Sequence, residues 1–498
     1  MDSLQASSAH HPKLTPHSRE NKLKIDLSEI NSMEEEMKNN AESNRWRKEP
    51  CSIFKVPTFL RWSSLKPYNP KKISYGPYDP RFVSIDPFHR ENSQLQDMEE
   101  FKWRAVQFLL SKSKEKATLN DCLNKMEELG PRARSCYSKT FKLISDNDWA
   151  KMMVLDGCFV LLIPKDNLED IALLPHPDDE QQPAAASSNE NDGAIPPAWP
   201  IRKSLLADLL LLENQLPFFV LDELFKLLRS DDDYFDELVD LASYTLLLLY
   251  PGTQYFYGPV LRSNSRIHHF LHLFYLTIVS NQSKSSTHDG GLMAKMMNKC
   301  WCPNIRRRGI PSVTELEKSG VKFKPNKDAQ SILDVTFDFQ KGEMKIPPLI
   351  LYSYTQTTLR NIIAFEQCFG AGCNELTRIS DYVILVDFLV GSSADISTLQ
   401  DKGIVLNWLG SQEEVLTVLK QLRSEIVGTN KDKFADMYNQ INMYREIPLN
   451  KYRATLCRDY CGDPWIMCSV FAGIVLFVLT AMQTYTAMYS YYHPSPAS

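Results

Sequence analysis

DNDWAKMMVLDGCFVLLI, residues 146–163, opens on polar residues and then runs almost wholly apolar, with one carboxylate, Asp156, inside the run. A strand occupies about 4–8 residues, so a stretch this long reads as a helix. Asp146 is the expected N-cap. With no polar face to offer water, the helix is expected to be buried on most sides.

Outward from it, helices are expected at 95–112 and 119–129 on the N-terminal side. On the C-terminal side they are expected at 201–212, 218–228, 234–249, 266–279, 358–368, 378–390, 394–402 and 413–425, and an amphipathic helix over 430–449 leads to the membrane. Residues 332–351, ILDVTFDFQKGEMKIPPLIL, alternate around a Gln-Lys-Gly turn and predict a β-hairpin with Val335, Phe337 and Phe339 on one face. The prolines of 53–90 predict extended segments and turns. The expected class is mainly α (α+β): a large helical domain over 51–450 with a small β-hairpin component, plus one C-terminal transmembrane helix. Residues 1–50 read as a disordered polar arm. The acidic, Pro/Ala/Ser-rich stretch 174–200 and the basic stretch 281–310, which contains Arg306, Arg307 and Arg308, read as flexible insertions.

The 498 residues carry 56 Lys+Arg against 61 Asp+Glu, a net charge of −5, so no basic excess points to nucleic acid. The average hides one anomaly: from Pro464 onward there is no Asp, Glu, Lys or Arg. Within that stretch WIMCSVFAGIVLFVLTAM (465–482) is apolar but for Ser469, Gly473 and Thr480. Extended to Tyr485 it makes a helix of about 31 Å, the thickness of a bilayer core. Trp465 at one end, and Tyr485, Tyr489, Tyr491 and Tyr492 at the other, suit the two interfaces, while Ile466, Phe471, Ile474, Leu476, Phe477 and Leu479 would face lipid. Lys451, Arg453 and Arg458, in a juxtamembrane segment over 451–464, precede the span, and neither Lys nor Arg follows it in the short tail 486–498. The expectation is a single-pass tail anchor with the large N-terminal part in the cytosol, on a membrane the sequence does not specify. The N-terminus, MDSLQASSAHHPKL, lacks the apolar core of a secretory signal.

Catalytic signatures are missing: there is no G-x-x-x-x-G-K-S/T, no G-x-G-x-x-G after a strand, no G-x-S-x-G and no kinase motif. Eleven cysteines are spread without paired C-x₂-C arms, and HHFLH (268–272) lacks the Glu of a zinc helix, so neither metal nor cofactor is expected. Charged groups nevertheless interrupt apolar runs: Asp156; Asp208 and Glu213 in ADLLLLENQLPFFVL; Arg360 and Glu366 in TLRNIIAFEQC. A buried charge needs a partner. The preferred reading has these carboxylates pairing with Arg360 or capping helix ends, with Asn214 and Gln215 capping ahead of Pro217, and Asn361 beside Arg360 in the same group of structural or interaction candidates. The alternative is a carboxylate of raised pKa working as acid or base.

The same stretches carry a resemblance. VPTFLR (56–61), VSIDPFHR (83–90), LQDMEEFKWR (95–104), DGCFVL (156–161), DLLLLENQLPFFVL (208–221), SGVKF (319–323), IPPL (346–349), RNIIAFEQC (360–368) and CGDPWIMCSVFAGIVLFVLT (461–480) resemble, in order, the plant family catalogued as domain of unknown function 247. The family's V-S-I-G-P-Y-H pattern has Asp86 at the Gly position and Phe88 at the Tyr position here, and Leu161-Leu162 stand where it often has Leu-Glu. The resemblance implies a plant protein with a C-terminal membrane span and no established enzymatic activity. Some grass members are linked to self-incompatibility, which implies a recognition role by analogy. The expected function is therefore a membrane-anchored module that binds an unidentified protein partner. A membrane-tethered enzyme using buried carboxylates and a non-catalytic scaffold are the alternatives.

Overall fold

The structure is a computed structural model. It describes residues 51–63, 76–163, 198–230, 237–252, 266–280, 309–369, 377–427, 432–460 and 464–492. The chain divides into two compact units, 1–50 and 51–498, and the description concerns the second. The expected polar arm, most of 174–200 and 281–310, the three arginines, Cys300, Cys302, Cys373, Cys461 and the tail from His493 lie outside the described residues.

The stretch 146–163 forms the pivot of the N-terminal half. In chain order this half comprises α1 (Thr58–Ser63), α2 (Asp97–Lys112), α3 (Leu119–Ser135), α4 itself (Asp146–Leu162), α5 (Ala198–Asp208) and α6 (Phe218–Leu228). α4 packs against α2, α3 and α6 together. That encirclement is why it has no polar face: every residue from Met152 to Leu162 is buried, Asp156 among them. Gly157 is the point of closest approach, where a Cβ would press into Leu224 of α6. The cap differs from expectation by one residue: the Ser145 hydroxyl accepts from the Asp148 N–H at 3.1 Å, leaving Asp146 in the first turn.

The chain continues through α7 (Leu238–Leu246), α8 (Phe270–Ser280) and the short α9 (Val313–Lys318) into the β region. There β1 (Lys322–Pro325) runs parallel to β3 (Glu343–Ile346), which pairs antiparallel with β2 (Thr336–Asp338). The β2–β3 hairpin is the one expected over 332–351. Gly342 turns it at φ +62°, under the Tyr444 ring. β4 (Leu349–Leu351) then pairs parallel with β5 (Val405–Asn407). Between those two strands lie α10 (Thr355–Phe369), α11 (Arg378–Leu389) and α12 (Ser393–Asp401). With α13 (Gln412–Ser424) they form a second helical cluster, joined to the first through α8 on α10. The chain closes with α14 (Ala435–Glu446), α15 (Pro448–Tyr460) and α16 (Pro464–Tyr492). The fold is mainly α with a small β component.

Several boundaries depart from expectation. α3 runs through Pro131 to Ser135, although an interior proline removes a helical hydrogen bond. Tertiary contacts hold it: Arg134 lies 4.2 Å over the Trp149 ring and donates to the Phe141 and Ile144 carbonyls. α5 starts at Ala198, inside the stretch read as an insertion, and stops at Asp208; the rest of DLLLLENQ is a tight turn. The helix expected over 430–449 is α14, followed by a separate α15 that begins at Pro448. A proline suits the first turn of a helix, where its missing N–H costs nothing. α1, α9, β1, β4 and β5 are too short to leave a periodic signal.

α16 is long and apolar enough to cross a membrane: Cys468–Tyr489 is a 22-residue span of mean hydropathy 1.7, and none of its apolar window is buried in the fold. At 1.5 Å per residue it reaches about 33 Å. Trp465, Phe471, Ile474, Leu476, Phe477 and Leu479 are all exposed on it. Ile466 lies in the same helix, with its side chain outside the described residues.

Candidate functional site

The segment 76–90 is non-helical and without a sheet partner, yet much of it is buried. Backbone N–H and C=O groups taken from water must find partners elsewhere. Side chains at the end of α5, in the turn after it, and of α10 supply them. The Asp208 carboxylate accepts the N–H groups of Arg81, Phe82 and Val83, at 3.0, 2.7 and 3.1 Å to Oδ2. Asn214 accepts from Ile85 N at 2.8 Å and donates to the carbonyls of Val83 and Asp208, both at 3.0 Å. Asn361 of α10 accepts from Leu212 N at 2.8 Å and donates to the Pro77 carbonyl at 3.0 Å.

Gln215 closes the turn itself. It donates to the Leu209 and Leu211 carbonyls at 2.6 and 2.8 Å, and accepts from Leu271 N at 3.1 Å. Glu213 reaches the other way: it accepts from Val56 N at 2.6 Å and holds the Arg61 guanidinium, which also meets Asp79 at 2.9 Å. Asp208, Glu213, Asn214 and Gln215 are all buried. Asp208, Glu213, Asn214 and Asn361 thus strap the N-terminal segment to the body, and Gln215 holds the turn from which three of them project.

The remaining carboxylates are engaged as well. Asp156 meets Lys102 of α2 at 2.6 Å, and Lys102 also donates to the Ser84 carbonyl and to Glu99, each at 2.5 Å. Arg360 pairs with Glu425 at 2.8 Å, both nearly fully buried, and Tyr78 donates to the same Glu425 at 2.9 Å. Arg360 meets Glu425 because the α10 face that carries it turns toward the end of α13. Glu366 caps α11: it accepts from Ile379 N and Ser380 N at 2.8 Å and from the Ser380 hydroxyl at 2.6 Å. A carboxylate on a helix N-terminus is stabilised by the unsatisfied N–H groups there.

Burial dominates the acid–base behaviour. It pushes Asp156 up to about 6 against the attraction of Lys102, and Asp208 up to about 6 against its backbone donors. Glu366 is pushed up to about 8 in spite of the Ser380 and Ile379 donors. Desolvation takes His89 down to about 4, so its imidazole is neutral at pH 7 where it stands 3.6 Å from Glu213.

Asp86 is fully buried, and burial pushes its carboxyl well up. One oxygen accepts from Phe88 N at 3.0 Å; the other has no hydrogen-bond partner among the described residues. Asp86 does not have a positive φ, so the backbone that carries a glycine in the family pattern accommodates a side chain here. The carboxylate closes the turn.

HHFLH lies at the start of α8. His269 is buried, with Nε2 3.1 Å from the Ser52 carbonyl and Nδ1 accepting from His272 N. A ring nitrogen facing a carbonyl carries the proton, which fixes the Nε2–H tautomer. Among the described residues no group of three or more His, Cys, Asp or Glu side chains is placed to hold a metal ion.

The partners Arg61, Lys102 and Glu425 were not singled out from the sequence. Arg61 and Lys102 sit within VPTFLR and LQDMEEFKWR, but nothing local announces that they meet Glu213 and Asp156, more than fifty positions away.

A chain with a helical body of this kind, strapped by a buried polar lattice and followed by one membrane-compatible helix, belongs to the family described as plant protein of unknown function, domain of unknown function 247, whose model matches residues 53–479. The match begins at the buried Ile53, ahead of the 76–90 segment, and ends inside α16. Among relatives, the chain is 28% identical over 465 residues to UPF0481 protein At3g47200 of Arabidopsis thaliana, covering 89% of this chain and 87% of that one. It is 29% identical over 189 residues to Putative UPF0481 protein At3g02645 of the same plant, covering 38% and 35%. No solved structure matches the chain.

Proposed function

We propose that the protein is a membrane-anchored interaction module. Its helical body sits on the cytosolic side of a single span, α16, and binds another protein rather than performing chemistry. The engagement of Asp156, Asp208, Glu213 and Glu366 carries this reading. Each meets a cation or a set of backbone N–H groups inside the body, where a general acid or base would need to face a substrate. Lys451 and Arg453 on the body side, with neither Lys nor Arg beyond the span, favour the cytosolic orientation.

The anchor is tested by a chain ending at Asp463. It is expected to move from the membrane pellet to the soluble fraction while keeping the melting behaviour of the body. A truncated chain still in the pellet would mean that a second anchor exists.

A further inference from the structure

α15 separates the body from α16 with only residues 461–463 between them. It rests against α9 and α14. On the outside stand Leu449, Tyr452 and Leu456, which are 76, 73 and 58% exposed. At about 100° per residue these three positions fall within about 60° of arc, one stripe of the helix. Large apolar side chains in one contiguous exposed stripe mark an interaction surface. Lys451 and Arg453, both exposed, sit on the same two turns, and the only acidic residue of the helix is Asp459, near its end.

We infer that α15 lies in the headgroup region of the bilayer that α16 crosses, with Leu449, Tyr452 and Leu456 inserted at the acyl boundary and Lys451 and Arg453 on anionic lipid phosphates. This rests on the anchor reading of α16. Continuity selects the occupant: a helix three residues from a membrane span is held against that membrane's surface, and its apolar stripe with basic neighbours has the composition of an interfacial helix. Because α15 is packed on α9 and α14, such docking would orient the whole body. Residues 309–318 and the Phe337–Phe339–Tyr444 ring cluster would sit at the membrane-facing end.

The test uses the full chain reconstituted in phosphatidylcholine vesicles with and without phosphatidylserine, each doped with a phospholipid bearing a photoactivatable group near the headgroup. Crosslinked peptides are mapped by mass spectrometry. Lipid adducts are expected on the 449–456 peptide as well as on α16, with those on 449–456 more abundant when phosphatidylserine is present. In the Leu449→Ser/Leu456→Ser chain the 449–456 adducts should be lost while those on α16 and the melting temperature stay. Adducts on α16 with none on 449–456 overturn the inference and leave the anchor standing; adducts on neither overturn both. Crosslinks from 449–456 to a second copy of the chain, in place of lipid, overturn it in favour of self-association. Equal labelling with and without phosphatidylserine overturns the role given to Lys451 and Arg453.

Discussion

Glu366 shows how a single buried carboxyl can be structural and still titrate near neutrality. Its three donors come from one helix start, so Glu366→Ala leaves Ile379 N–H, Ser380 N–H and the Ser380 hydroxyl without their acceptor. Leaving buried groups unsatisfied costs about 1–3 kcal/mol, and thermal melting of the Ala variant should fall accordingly. The sign of the pH dependence follows from the raised value. Burial holds the folded-state carboxyl up at about 8, whereas in the unfolded chain it returns to about 4.3. Between those limits the folded state binds the extra proton. The contribution is therefore whole below about 4.3 and is lost as pH rises through about 8. Asp156 and Asp208, at about 6, act in the same direction over a narrower window. Glu366→Gln, which keeps the neutral form at every pH, should melt most like the wild type near pH 5 and become the more stable of the two as pH rises toward 8 and above. A constant gap across that range would contradict the assignment.

At the scale of elements, what the sequence discloses is what repeats. α4 and α6 were legible from long apolar runs, and the β2–β3 hairpin from alternation around Gln340, Lys341 and Gly342. The buried charges were legible as anomalies, but not their partners. Lys102 with Asp156, Arg61 with Glu213 and Arg360 with Glu425 are joined by the docking of separate elements, and no local pattern encodes docking. The extended 76–90 segment was legible as proline-rich and irregular. That its backbone is satisfied by Asp208, Asn214 and Asn361 follows only once α5, α10 and the turn between α5 and α6 are in place. The Arg360–Glu425 pair gives the sharpest test of such docking. Removing one partner leaves a buried charge alone, and Glu425→Leu should destabilise by about 3–5 kcal/mol. Arg360→Met/Glu425→Leu should recover much of that loss in chemical denaturation, because no unpaired charge remains. Equal destabilisation by the single and double variants would show that the pair's geometry, rather than its charge, holds α10 to α13.

For the whole molecule, the polar lattice and the apolar helix have separate tasks. The lattice gives the helical body a defined surface by fixing a segment that has no secondary structure of its own to hold it. α16 is the helix long and apolar enough to cross a membrane, and on the proposed reading it would give that body a location. The family match spans both, from Ile53 to Leu479. The proposed direction rests on the charge pattern around α16, with Lys451 and Arg453 ahead of it and no Lys or Arg over residues 464–498. That direction is the central claim, because a body in the cytosol and a body outside the cell meet different partners. Protease digestion of sealed, right-side-out-to-cytosol microsomes bearing the chain, tagged at both ends, measures it directly. The account predicts that the N-terminal tag and the helical body are digested while a fragment containing α16 and the C-terminal tag survives until detergent is added; survival of the body with loss of the C-terminal tag would contradict it.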